Sequence, residues 1–206
     1  MTLDPATATV TTPAPTTTPP PPPHLPSPAG RRLRTLFLLC AIAGLWCTVV
    51  LASTRVDLSQ TVRHYVKFVH LMSLTVGFGA VIAVDVCALA VLLGKRSPGF
   101  ATRVAATVDP AVWGGYLGLI LSGLLLEPNL NSAAMWVKLV AALVAGLNGA
   151  LARDAMHRML ALPRGATVRQ VPRPLMSRVA AHAAVSQAAW WTATVIAYFG
   201  SGLTRR

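Results

Sequence analysis

Acidic residues are scarce: Asp and Glu total 6 in 206 positions, against 18 Lys and Arg, for a net charge of +12. Charged residues of both signs make up only 12%, about half the share usual for a water-soluble domain. That excludes a solvated charged surface of ordinary density. There are three cysteines, Cys40, Cys47 and Cys87, with no CxxC pair among them. All three sit in apolar stretches, so they are expected to be small buried hydrophobes, with no disulfide framework and no thiolate metal site. Also missing are HExxH, a Gly-rich phosphate loop, a Ser-His-Asp set and a pair of catalytic carboxylates. What is abundant is apolar: 54% of the residues, with a mean hydropathy of +0.58. A membrane protein with basic loops on one side accounts for both the hydropathy and the charge. The basic residues are spread over loops, which favours lipid headgroups and argues against nucleic acid.

Residues 1–30 form a separate segment. They hold ten of the sixteen prolines, eight threonines, no Lys or Arg, and a single acid, Asp4. Such a stretch has too little apolar surface to fold and favours extended polyproline II, so a disordered tail is expected. Residues 31–206 carry apolar runs at about 33–52, 66–93, 111–126, 133–152 and 183–203. A helix needs about 20 residues to cross ~30 Å of hydrocarbon. In lipid the backbone must satisfy its own hydrogen bonds, and the alternation of barrel strands is absent, so helices follow. The expected fold is all-α: a polytopic bundle of five membrane helices, or four if 33–52 is a cleaved signal.

Orientation is read from the basic residues. With the N-terminus in the cytoplasm, twelve fall on the inner side: Arg31, Arg32, Arg34, Lys95, Arg96, Arg103, Arg153, Arg158, Arg164, Arg169, Arg173 and Arg178. Four fall outside: Arg55, Arg63, Arg205 and Arg206. The expectation is a bacterial inner (plasma) membrane protein with its N-terminus in and its C-terminus out.

Small residues repeat at four-residue spacing, Gly114, Gly118 and Ser122 on the third helix, Ala142, Gly146 and Ala150 on the fourth. Such rows let backbones approach in lipid. A tight hairpin of helices three and four is expected, and the same faces offer a surface for a homo- or hetero-oligomer.

Polar groups inside apolar runs are the informative ones. Toward the outer side lie His70, Glu127 and Lys138; deeper lie Asp85 and Asn148. Imidazole at His70 suits haem iron, a proton relay or an interhelical hydrogen bond. Lys138 has Glu127 as a natural counter-ion, or alternatively an anionic ligand such as a propionate. Asp85 is fifteen residues past His70, ~22 Å along the axis. Its candidate partners are Arg103, Arg153 and Asn148. The expectation is an outward-facing pocket lined by His70, Lys138 and Glu127, with Asp85 at its floor. A di-haem arrangement is disfavoured, because His70 has no matched mate at its depth.

The second helix reads KFVHLMSLTVGFGAV, with Lys67 three residues before His70 and then Gly77 and Gly79. The fourth opens MWVKLVAALVAGLNG, with Trp136 and Lys138. Between Lys67 and Asn148 this resembles the small bacterial membrane proteins of the copper-resistance-D type and the HemJ-type protoporphyrinogen oxidases. The resemblance implies a compact bundle of four to five helices that binds haem b through His70, with Lys138 essential beside it. Asn148 stands where a second His is expected, and no Met or Cys ligand set lines up with His70 for copper. Two functional readings follow: a redox- or haem-associated membrane protein, or a non-enzymatic subunit or small translocator whose buried charges serve packing or ion passage.

Overall fold

A computed structural model describes residues 28–126, 128–163 and 165–203. The chain is all-helical over these residues: α1 (Pro28–Ser53), α2 (Gln60–Leu92), α3 (Pro98–Leu125), α4 (Ala133–Leu160), a 3₁₀ turn (Val168–Gln170) and α5 (Arg173–Leu203). The tail read over 1–30 lies outside the described residues up to position 27, and α1 opens at Pro28. Four helices, α1 to α4, are long and apolar enough to cross a membrane. The fifth is long enough, but Ser186, Gln187, Thr192 and Thr194 dilute its apolar character.

All five helices run further than their apolar cores, α3, α4 and α5 the most. The run from 111 extends back to Pro98, because Ser97 caps that end: its Oγ accepts from the Phe100 N–H at 3.3 Å, and Pro98 fills the first turn, where its missing N–H costs nothing. Pro110 is carried inside α3. Lipid-type bundles tolerate this, because neighbouring groups take up the freed carbonyl. Similarly α4 continues to Leu160, past its apolar core at 133–152, and α5 begins at Arg173, ahead of its core at 183–203.

Antiparallel pairing follows from the connections. α2 ends on Gly94 at φ +70°, a left-handed position that glycine adopts without strain. The N–H groups of Lys95 and Arg96 then donate back to the Ala90 carbonyl. The chain turns at once into α3, and α2 and α3 lie against each other along their length. α4 and α5 form the second pair. The expected α3–α4 hairpin is therefore corrected: those two helices touch only lightly. Gly118 packs on Ser73 of α2, Ser122 bonds to α2, and Gly114 faces open space. The row on α4 does face α3, with α1 beside it: Gly146 receives Tyr116 of α3 and Ile42 of α1, while Ala142 packs on the Val49–Tyr116–Ile120 cluster. Ala150 is almost fully buried.

The bundle wears its large side chains outward. Phe37, Leu51, Tyr65, Phe68, Val86 and Tyr198 are all more than 60% exposed, while Ala105, Ala141, Ala150 and Ala155 are buried. Such a surface is costly in water and neutral in hydrocarbon. Cys40 and Cys47 are exposed on it and Cys87 is half-buried, contrary to the expectation that all three are core residues.

Candidate functional site

One end of the bundle, where α1 and α3 finish and α2 and α4 begin, is called distal here; α1 begins at the proximal end. At the distal end all five helices contribute to a cavity of about 110 Å³. Trp46, Val49 and Ser53 come from α1, Tyr116 and Ile120 from α3, and Ala189, Trp190 and Ala193 from α5. His70 of α2 and Lys138 of α4 both line it. Sequence reasoning put these two side chains in one pocket, and the fold brings them together. Glu127, expected as the third member, lies outside the described residues.

The His70 ring is held by α3. Ser122 donates its single hydroxyl proton to the Gly118 carbonyl. Its Oγ also lies 2.9 Å from His70 Nδ1, so the two side chains share a hydrogen bond whose donor depends on the imidazole tautomer. Ser122 is thus more than a small packing residue: it anchors a cavity-lining imidazole. Lys138 lines the same cavity and, among the described residues, is the one charged side chain on its wall.

Three cavity residues were not singled out from sequence. Tyr116 is buried, and its hydroxyl finds no hydrogen-bond partner among the described residues. It lies against Gly146, where any side chain would collide with it. Trp46 donates Nε1–H to the Leu139 carbonyl at 2.8 Å, tying α1 to α4 at the cavity rim. Trp190 stacks on Phe78 of α2 with ring centroids 5.6 Å apart, and Trp191 meets the same ring edge-on at 5.2 Å. Trp and Tyr are common at membrane interfaces, so nothing in the bare sequence marked these as cavity residues.

Asp85 and Asn148 do not belong to the cavity. Asp85 accepts a hydrogen bond from Gln187 of α5, so the expected floor position and the partners Arg103, Arg153 and Asn148 are corrected. Arg153 instead faces Asp109 at 3.5 Å and lies over the Trp113 ring at 5.2 Å. Asn148 is buried and engages His182 twice: its Nδ2 donates to the His182 carbonyl, and its Oδ1 faces His182 Nδ1, each at 2.8 Å. Both polar residues therefore hold α5 to the bundle. Gln187, which holds Asp85, is not among the residues singled out from the sequence.

No family model, curated protein or solved structure matches this chain. Among the described residues, no three His, Cys, Asp or Glu side chains gather as a metal site. The cavity's chemistry is one imidazole lone pair, one ammonium and an apolar wall with a few hydroxyls.

Proposed function

We propose that the chain is an integral protein of the bacterial plasma membrane, N-terminus in and C-terminus out, that holds a redox-active ligand in the distal cavity. The observation that carries this reading is the convergence of His70 and Lys138, from two helices in different pairs, on one cavity. Haem b is the ligand that the resemblance to HemJ-type proteins implies. The donors fit that group: His70 offers an imidazole nitrogen, and Lys138 an ammonium suited to a propionate. The volume does not. About 110 Å³ is below the roughly 300–1,000 Å³ of drug-sized ligand pockets, and a porphyrin is larger than a typical drug. Haem binding requires the α5 wall of Ala189, Ala193 and Ala197 to stand further from α2 and α3.

The small volume favours a second reading, a non-enzymatic subunit or small translocator in which His70 and Lys138 serve packing. The two are separated by colour. Membranes expressing the chain with haem supplied are expected to yield purified protein with a Soret band, and His70→Ala is expected to lose it. A colourless protein that takes up no haem on titration ends the haem reading and leaves the subunit. Orientation is tested by topology reporters. A fusion in the 161–172 connection is expected to report cytoplasm and one at the C-terminus the outside. Both on one side would show that α5 does not cross.

A further inference from the structure

At the proximal end, a groove of about 480 Å³ opens between the start of α1 and the end of α4. Three arginines line it, Arg31 and Arg32 of α1 and Arg158 of α4, with one carboxylate, Asp154, so its net charge is +2. Asp154 is already held by Arg158 at 2.9 Å, within the same helix face.

The two helices run in opposite directions yet present the same chemistry by depth. On α1, Arg32 at the rim is followed on one face by Leu36 and Leu39. On α4, Leu151 precedes Asp154 and Arg158 on one face. Seven residues of helix is ~10 Å, so on both walls guanidinium groups sit at the rim and leucine lies about that much deeper. Guanidinium binds phosphate oxygens through two parallel N–H bonds and is the side chain best matched to that anion. A soluble phosphate has no use for the leucines below, whereas a phospholipid has an acyl chain at that depth.

We propose that this groove is a binding site for one anionic phospholipid, its phosphate held by Arg31, Arg32 and Arg158 and an acyl chain laid along Leu36, Leu39 and Leu151. The lipid joins α1 to α4 at the end opposite the Trp46–Leu139 hydrogen bond. The site stands apart from the distal cavity and does not depend on what that cavity binds.

The test is native mass spectrometry of the full chain in detergent, titrated separately with dioctanoyl phosphatidylglycerol, dioctanoyl phosphatidylcholine and inorganic phosphate. The glycerol lipid is expected to add as one tight adduct, with the choline lipid and inorganic phosphate far weaker. Arg31→Gln with Arg32→Gln is expected to weaken that adduct at least about tenfold, from the surface affinity each basic residue contributes. Equal binding of the two lipids, displacement of the lipid by equimolar inorganic phosphate, or an unchanged adduct in the double variant overturns the proposal. If the double variant does not fold, Asp154→Asn serves in its place. Its exposed ion pair carries little stability, and removing the carboxylate frees Arg158 for phosphate. Adduct formation is then expected to strengthen severalfold, and no change overturns the proposal.

Discussion

The two helix pairs meet the same demand by different means. α2 and α3 approach through glycine: Gly77 and Gly115 face each other so closely that a Cβ on Gly115 would run into the Gly77 backbone and reach the Ser73 carbonyl at 2.7 Å. α5 is instead fastened by side chains, Gln187 to Asp85 of α2 and His182 to Asn148 of α4. Backbone contact needs no polar atoms and is strongest where both helices are fully apolar. Hydrogen-bonded attachment suits a helix that carries Gln and Thr and gains less from lipid. The distal cavity lies in the seam between the rigid pair, which supplies His70 and its Ser122 anchor, and the fastened pair, which supplies Lys138.

The contrast breaks most sharply at Gly115. Gly115→Ala is expected to cost at least about 2–3 kcal/mol, because the new methyl meets backbone that cannot turn aside. Gly77→Ala should cost less, since its Cβ would stand 3.2 Å from Gly115 Cα and 3.3 Å from Trp190 Cη2, distances a small shift relieves. Gly114→Ala, with nothing within 4 Å, is expected to be neutral or to stabilise by roughly 0.5–1 kcal/mol through helix propensity. Thermal midpoints of the three variants in one detergent give the ranking. A Gly115→Ala protein as stable as Gly114→Ala would remove the glycine contact from the account of α2–α3 pairing.

The hydrogen bond that fastens α5 to α2 is expected to respond more mildly. Gln187→Leu removes the donor that Asp85 accepts from, and interhelical hydrogen bonds in lipid are worth roughly 0.6–1.7 kcal/mol. Because a carboxylate without its partner costs more than the bond alone, the single variant should lose about 1–2 kcal/mol. Asp85→Leu together with Gln187→Leu should recover most of it. Additive losses in the double-mutant cycle would mean that the two side chains act independently.

These features differed in how far the sequence revealed them. Helix number and apolar cores were legible, because hydrocarbon thickness fixes run length and composition. Helix ends were not: α3 starts thirteen residues before its expected first residue, on a Ser97–Pro98 cap that a hydropathy reading passes over. The spacing of Gly114, Gly118 and Ser122 was visible as a small-residue row, but spacing does not say which neighbour a row faces. The true close approach, Gly77 to Gly115, joins one residue from the row's edge with one read only as part of a Gly-rich stretch. At the candidate site, His70 and Lys138 stood out because ionisable groups are rare inside spans, and their common depth was countable from the helix ends. The anchor Ser122 and the other cavity-wall residues Tyr116 and Trp190 do not reveal these places until the packing is known.

The smallest expected effect falls where the seam meets the cavity. Ser122→Ala removes one hydroxyl from α3, leaves every helix contact and the close approach at Gly115 in place, and should cost no more than about 1 kcal/mol. What it removes is the side-chain hydrogen bond that anchors His70 Nδ1 to α3. The ring then loses its fixed orientation, while Lys138 and the apolar wall stay as they are. If His70 is a ligand-binding group, this nearly silent change in stability should broaden or shift the Soret band and weaken ligand uptake several-fold, and Ser122→Thr, which keeps the hydroxyl, should restore both. If His70 only packs, Ser122→Ala and Ser122→Thr should differ in thermal midpoint alone. An unaltered spectrum in a haem-bound Ser122→Ala protein would show that the anchoring of His70 by α3 plays no part in holding the ligand.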